Sequence, residues 1–424
     1  MVVSQKIQFR RMYPYFVLLW FVVSGMFNGI STIFFGSAKF VSVGTVLVFG
    51  LFCLSSKTRL FTKKEIIFAS FYLFLTGVVL IIYSNNNHYG LVKLIKNMVL
   101  TIIMLFDFVI LYKEFYDYQF NSIIKRIFTF QILLELGLYI LFVLFNKNNG
   151  MLGKSVIQIF VFQDWSGRFQ GTFSEPSLLG VWLGAAAFIS FFIYKNKICK
   201  LFLFCICVYI LFTACKAKFA LIALPFALIL SCFRKLSLRQ SNKMGLAFIC
   251  FFTCVVALFF QSVVYSFFTL LKKTIEVDGS ATYVTRFGFL FASIEDACLY
   301  PLGRGIGLNY EVFQNLFSSI IPIVDKIGLD TFELKSYAKN PNNMGSKDTF
   351  SFLLSQFGFL GIYVYFDFFK TLLSKKYIYQ FFSLGLIFFL LLESIVTTNM
   401  FTFPVFFIFL FTKILLNSIA KENA

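Results

Sequence analysis

The chain has 424 residues, of which 59% are hydrophobic and only 13% are charged, and its mean hydropathy is +0.83. Soluble domains are roughly 45–50% apolar and about 25% charged, so the composition excludes an ordinary soluble protein and predicts a polytopic membrane protein. The formal net charge of +19 could indicate a nucleic-acid partner, so the positions of the cations have to be considered. Most of the nine cysteines lie in apolar runs and there is one histidine, which favours neither a disulfide framework nor a metal site.

The apolar runs predict an all-α protein, because a helix needs about 20 apolar residues to cross the hydrocarbon of a bilayer. Counting by this length predicts about twelve transmembrane helices in a single integral membrane domain over residues 1–424. The predicted spans are residues 13–35, 38–55, 66–83, 91–112, 123–145, 176–194, 199–214, 217–233, 244–270, 349–373, 377–396 and 400–417.

Lysine and arginine are concentrated in the short loops on one predicted side of the membrane. If the N-terminus is cytoplasmic, each inner loop is basic, while 84–90 and 396–399 carry neither lysine nor arginine. This pattern follows the positive-inside rule and predicts that both termini are cytoplasmic. Most of the positive excess therefore has a topological origin, and we expect no nucleic-acid partner.

Two longer loops fall on the outer face, at residues 146–175 and 271–348. The large outer loop is not a polar linker, because Tyr283–Tyr300 and Tyr310–Val324 carry apolar residues at near-helical spacing. This spacing predicts short helices lying on the membrane surface. A long loop of this kind is usually functional.

The first outer loop leads into a stretch that combines an arginine, a glycine turn and a glutamate. Arg168 and Gly171 precede Glu175, which stands directly before Pro176 and a long apolar run. Proline is favoured in the first turn of a helix, and a carboxylate there is stabilised by the positive end of the helix dipole. The stretch therefore predicts a polar site at a membrane–water boundary, with an ordinary charged loop end as the alternative.

Five cations lie on the outer side, against the positive-inside pattern: Arg168, Lys216, Lys218, Arg286 and Arg304. Guanidinium groups favour bidentate contact with phosphate and lysine acts as a point charge, so these residues are candidates to bind a diphosphate. The alternative is that they only reach lipid headgroups. Around Arg304, the glycines at 303, 305 and 307 could let backbone N–H groups approach an anion, or could form a flexible turn.

Two carboxylates are candidates for proton transfer or for positioning an acceptor. Glu175 is one and Asp348 is the other, although Asp348 is equally placed to be the N-cap of the following helix. We therefore name Glu175, Arg168 and Asp348 as candidate catalytic residues. Asp107, Glu135 and Glu393 lie within predicted spans, where carboxylates are costly and often functional.

Three of these motifs, in their order, resemble the Wzy-type O-antigen polymerase and O-antigen ligase superfamily of bacterial membrane glycosyltransferases. The motifs are Arg168–Ser177, Lys216–Lys218 in a tight outer turn, and the large outer loop with Arg286 and Gly303–Gly307, followed by Phe357–Gly361. The resemblance implies a GT-C-like helical fold, a metal-independent glycosyltransferase without cofactor, and a place in the bacterial cytoplasmic membrane. The implied substrate is an undecaprenyl-diphosphate-linked glycan, with membrane lipids and a chain-length regulator protein as further partners.

A departure from the family pattern separates two activities. Ligases of the superfamily are similar to one another in carrying a histidine where this chain has Lys347. Many of them also carry a glutamate where this chain has Gln356. The sequence therefore favours polymerisation of repeat units into O-antigen, capsule or exopolysaccharide. Ligase-type glycan transfer and a flippase-type transporter of lipid-linked sugars stay open as alternatives.

Overall fold

The computed structural model describes residues 63–84, 98–99, 102, 121–147, 168–173, 176–194, 196–232, 260–274, 280–306, 309–339, 348–373 and 381–396. Within these ranges the protein is all-α, and no β-strand is present in them. The helices are α1 (Lys63–Ser84), α2 (Asn121–Lys147), α3 (Pro176–Ile193), α4 (Lys197–Ile210), α5 (Lys218–Cys232), α6 (Phe260–Thr274), α7 (Ser280–Leu299), α8 (Asn309–Ile327), α9 (Phe332–Lys339), α10 (Thr349–Leu373) and α11 (Phe381–Val396).

The apolar runs predicted most of these helices closely. The predicted spans 66–83, 123–145, 176–194, 199–214, 217–233 and 377–396 each coincide with an observed helix to within a few residues. The predicted spans 13–35, 38–55 and 400–417, and nearly all of 91–112, lie outside the described residues. Two helical stretches, Lys197–Cys215 and Thr349–Phe366, are long and apolar enough to cross a membrane by length and composition. The number of spans otherwise stays a prediction.

Helix α3 lies at the centre of the described part of the fold. Residues 179–190 are buried without interruption, as expected of a helix that is apolar on every side and packed by neighbours all round. Its contact with α11 is reciprocal, because each helix offers a glycine to a phenylalanine of the other. A Cβ on Gly184 would lie 2.1 Å from Phe389, and one on Gly385 would lie 2.4 Å from Phe188. Small residues of this kind allow two apolar helices to approach closely.

The segment predicted to be the large outer loop folds into helices that pack on one another. Phe267 of α6 contacts Phe287 and Phe291 of α7, while Phe289 of α7 contacts Phe317 of α8. The two helices predicted from spacing are present as α7 and α8, but α7 has a buried face against its neighbours as well as contacts with α10. Helix α6 continues to Thr274, three residues past the predicted start of the loop at residue 271, and α9 was not predicted.

Helix α10 is not the single spanning helix that the sequence predicts for 349–373. It is broken at Gly358, whose backbone angles are φ 57° and ψ −146°. In a straight helix Phe350 and Tyr365 would be about 22 Å apart along the axis, yet their ring centroids are 5.5 Å apart. Beyond the break, a Cβ on Gly361 would lie 3.3 Å from the Cβ of Leu353. Residues 349–357 and 359–373 therefore form a helical hairpin, and composition alone does not reveal the reversal within Thr349–Phe366.

Candidate functional site

The segment 168–173 is held against the end of α4 by its backbone and by two buried rings. The N–H of Phe169 donates to the carbonyl of Ala214 at 3.1 Å, and the N–H of Phe173 closes a turn onto the carbonyl of Gln170. Phe169 and Phe173 are fully buried, whereas Arg168 is half-buried. The apolar side chains therefore anchor the segment and leave the arginine at its edge.

The turn that carries Lys216 follows a π-helical turn, Leu211–Cys215, at the end of α4. Lys216 adopts a left-handed conformation with φ 49°, its N–H donates to the carbonyl of Leu211, and its side chain is exposed. Such a residue is the usual way to end a helix abruptly. After this sharp ending α5 begins at Lys218, and it packs chiefly against α11.

The start of α3 packs on this same turn. The thiol of Cys215 donates to the carbonyl of Pro176 at 2.9 Å, and a Cβ on Gly180 would lie 2.3 Å from the Cβ of Ala217. The structure therefore brings together the Arg168 segment, the Lys216 turn and the first residue of α3. We call Arg168 and Lys216 the first cation pair; Lys218 follows it in sequence as the first residue of α5. Glu175 lies outside the described residues.

A buried carboxylate that the sequence did not assign to the site lies beneath this segment. Glu135 of α2 accepts hydrogen bonds from the N–H and the hydroxyl of Thr172 and from the side-chain amide of Gln131. A Cβ on Gly171, where φ is 56°, would lie 1.8 Å from Oε2 of Glu135. Its place within a predicted span marked Glu135 as unusual, but nothing in the sequence linked it to Gly171.

A second group of candidate residues meets where α10 begins. Asp348 is the N-cap of α10, because its carboxylate accepts from the N–H and the hydroxyl of Ser351, each at 2.6 Å. Burial raises the pKa of Asp348 to about 7, while the hydrogen bonds of Ser351 and the positive charge of Arg286 act in the opposite direction. Arg286 itself is half-buried on α7. The structure therefore places Arg286 within electrostatic reach of Asp348.

Arg304 occupies a different environment from the other candidate cations. Its guanidinium donates to Oδ1 of Asp296 at 2.9 Å and lies 4.1 Å from the centre of the Tyr300 ring. Only 7% of Arg304 is exposed, and Asp296 is fully buried. Burial raises the pKa of Asp296, and the neighbouring guanidinium partly offsets this effect. The main partner of Arg304 is thus an internal carboxylate.

The backbone N–H groups around Arg304 are directed at the protein and not at an anion. The N–H of Gly303 donates to Tyr300, and those of Arg304 and Gly305 donate to the carbonyls of Ser355 and Gln356. These carbonyls are available because the break at Gly358 interrupts the hydrogen-bond ladder of α10. The prediction of an anion cradle is therefore wrong for Gly303 and Gly305, and Gly307 lies outside the described residues.

The interaction between the turn and the hairpin extends to α1. The N–H of Phe359 donates to the carbonyl of Pro301 at 3.0 Å, and the hydroxyl of Tyr72 donates to the carbonyl of Phe357. The N–H of Ile306 donates to the hydroxyl of Thr76 at 2.7 Å. The glycine turn is therefore a brace for the broken helix.

In the described part of the chain, no three side chains of histidine, cysteine, aspartate or glutamate come close enough together to hold a metal ion. Comparison of the chain with models of known protein families, with curated proteins and with solved structures finds no match.

Proposed function

We propose that this protein is a glycosyltransferase of the bacterial cytoplasmic membrane that polymerises undecaprenyl-diphosphate-linked repeat units into O-antigen, capsule or exopolysaccharide. The proposal includes about twelve membrane crossings, cytoplasmic termini and a site on the outer face, following the length of the apolar runs and the positive-inside rule. Membrane lipids and a chain-length regulator are its proposed partners, and the chemistry proposed here uses neither a metal nor a cofactor.

One observation carries the proposal most directly, the hydrogen bond from Phe169 to Ala214. It joins two segments more than forty residues apart in sequence, each bearing a cation that the charge pattern puts on the outer side. The second of these segments contacts the first residue of α3, where an apolar helix begins. Paired cations beside the end of an apolar helix suit a lipid-linked anion, because its headgroup and its hydrocarbon tail need adjacent polar and apolar surfaces.

The proposed reaction needs charge neutralisation more than bond activation. The hydroxyl of an acceptor sugar attacks the anomeric carbon of the donor glycan, and the bond from that carbon to the diphosphate oxygen breaks. The hydroxyl proton passes to a carboxylate, and the lipid diphosphate leaves with its electron pair. Fixed cations stabilise the departing diphosphate, and positioning of the acceptor supplies the remaining acceleration.

We assign the diphosphate to Arg168 and Lys216, with Lys218 and Arg286 as further cations. Glu175 or Asp348 receives the proton; Asp348 is fully buried as the N-cap of α10, so it reaches an acceptor hydroxyl only if the start of α10 opens. Arg304 reaches a diphosphate only if its ion pair with Asp296 opens, so it takes the last place among the five cations.

The glycan profile of a strain lacking the gene tests the proposal. Single repeat units should accumulate on the lipid carrier at the outer face, and a plasmid copy of the gene should restore long polymer. Long polymer that is not attached to its final acceptor would indicate a ligase instead. Repeat units trapped on the cytoplasmic side would indicate a flippase.

Labelling of single introduced cysteines tests the proposed topology. Cysteines replacing Asn87 and Asn342 should react with an impermeant thiol reagent in intact cells, whereas those replacing Ser56 and Ser237 should react only after lysis. Each variant is made in a chain whose native cysteines have been replaced by alanine and which still makes polymer. Labelling at position 237 in intact cells would contradict the twelve-span topology.

A further inference from the structure

The carboxylate of Glu135 lies where a structural role alone does not account for it. It is 1% exposed, on a helix that the sequence predicts to span the membrane, where an ionisable side chain is costly. One of its oxygens, Oε1, accepts all the hydrogen bonds from Thr172 and Gln131. The other, Oε2, has no hydrogen-bond partner among the described residues. An amide or a hydroxyl would fill the same space at lower cost, so the carboxylate has a further reason to be there.

The contacts of Glu135 indicate why a carboxylate is present at this position. Gly171 and Thr172 are the third and fourth residues after Arg168, and both are in contact with this one carboxylate. Charge-assisted hydrogen bonds to a carboxylate are about twice as strong as neutral ones. The positive φ of Gly171 lets the backbone approach Oε2 more closely than any side chain would permit. Glu135 therefore sets the distance between the backbone of this segment and α2.

We propose that Glu135 is a positioning residue for Arg168, an inference that rests on the proposed function of the first cation pair. The hydrogen bond from Phe169 to Ala214 fixes the segment on one side of its turn, and the bonds from Thr172 to Glu135 fix it on the other. Between them they hold the backbone from which the Arg168 side chain extends. A charged acceptor keeps this backbone in place when a bulky anion pulls on the arginine.

A double-mutant cycle in isolated membranes tests the proposal, with lipid-linked repeat units from the deletion strain as substrate and the initial rate of polymer formation as readout. Glu135→Ala should lower the rate roughly 10- to 100-fold, and Glu135→Gln should recover only part of it, because Oε1 still accepts from Thr172 but the charge is lost. In an Arg168→Ala background, Glu135→Ala should cost less than about threefold more, because its effect passes through Arg168. An undiminished effect in that background would overturn the proposal.

Two further variants keep the test decisive if Glu135→Ala fails to reach the membrane. Thr172→Val removes only the hydroxyl donor and should show the same non-additivity with Arg168→Ala at a smaller loss. Ile132→Ala, a buried apolar change on the same helix, is the matched control, and its effect should add to that of Arg168→Ala. Additive behaviour of Thr172→Val would count against the positioning role.

A second readout does not depend on activity. In the purified full-length protein, trypsin should cut after Arg168 slowly in the wild type and at least tenfold faster in Glu135→Ala or Thr172→Val. The new peptide begins at Phe169 and is detected by mass spectrometry. Unchanged cutting would overturn the inference about Glu135, whereas faster cutting in a protein that makes no polymer would refute only the proposed function.

Discussion

The chain has two regions in which an arginine stands beside glycines, and the structure uses them in opposite ways. Arg168 is half-buried at the edge of its segment, Lys216 is exposed, and the carboxylate beneath the segment accepts from the N–H and the hydroxyl of Thr172. Arg304 is buried, and its guanidinium is bound to Asp296. In the first region the acid holds the main chain and leaves the cation at the edge. In the second the acid binds the cation itself.

The glycines of the two regions also differ in what they pack against. Gly171 brings the backbone against a side chain, the carboxylate of Glu135. Gly303 brings it against another backbone, since a Cβ there would lie 2.4 Å from the carbonyl of Gln356. A glycine packed on a side chain supports a local loop, whereas one packed on a backbone joins two elements. The second region is therefore expected to govern assembly, and the first to govern activity.

The largest effect is expected from Gly358→Ala, which breaks the second region. A Cβ at position 358 would lie 2.1 Å from the carbonyl oxygen of Pro301, and the left-handed φ of 57° adds strain. Strain and a backbone clash together should cost more than about 4 kcal/mol. The folded protein should be nearly absent from membranes, as measured by fluorescence-detected size exclusion of a tagged chain. Gly137→Ala, at a helical position with nothing within 4 Å, is the control and should be neutral. Normal amounts of Gly358→Ala would contradict the hairpin.

A smaller loss of stability is expected from Arg304→Met. The change leaves Asp296 buried without its counter-ion, and breaking a buried ion pair in this way costs about 3–5 kcal/mol. The double variant Arg304→Met, Asp296→Leu should recover most of this loss, because no charge is then left buried. Thermal unfolding of the purified protein measures both, and Arg168→Ala should leave the midpoint unchanged. A midpoint lowered equally by Arg168→Ala would remove the contrast between the regions.

The first region is tested by activity at matched protein levels. Arg168→Ala should lower polymer formation roughly ten- to a hundredfold, since a charge-assisted bond contributes about 1.5–3 kcal/mol. Arg168→Lys should also be impaired, because it keeps the charge but loses the planar fork. The measurement is polymer length in cells expressing each variant at equal membrane levels. Full activity of the lysine variant would indicate a simple contact with headgroups.

The smallest effect concerns pH and Asp348. Burial raises its pKa from 3.8 to about 7, so the folded state binds the proton more tightly than the unfolded state does. The stabilising contribution is complete below pH 4 and is lost as the pH rises towards about 7. Asp348→Asn keeps an N-cap but does not ionise, so its unfolding midpoint relative to wild type should rise by about 2–4 °C or more over this window. A difference between the two proteins that does not depend on pH would contradict the assignment.

The sequence predicts the helices well where hydropathy and charge act locally. Helices α2, α3 and α5 follow from apolar runs bounded by polar residues, and the N-cap role of Asp348 follows from its place before α10. The hairpin was not predictable in this way, because the apolar run continues through Gly358 without a break. Its reversal depends on an acceptor at Pro301 and donors at Arg304 and Gly305, which lie more than fifty residues earlier.

In the candidate site, too, the sequence predicts what depends on local patterns and misses contacts between distant segments. The charge pattern predicts that Arg168 and Lys216 lie on the same side of a membrane, which stays a prediction, and the contact between their segments is a separate finding of the structure. The pairing of Arg304 with Asp296 was not apparent, because the large outer loop has several acids and cations whose charges nearly cancel. Glu135 was noticed only as a carboxylate in an apolar helix, since hydropathy carries no information about which loop covers it.

The brace around Gly358 also imposes an order on biosynthesis. Its partners in α1 and in the turn 301–306 all precede α10 in the chain, so they have already left the ribosome when the hairpin emerges. The first arm, residues 349–357, is about 14 Å long and is too short to cross a bilayer by itself. The turn and α1 therefore precede the hairpin, whereas α11, which also packs on α10, follows it. A nascent chain stalled before residue 349 exposes N–H groups at Arg304 and Gly305 that the finished protein conceals.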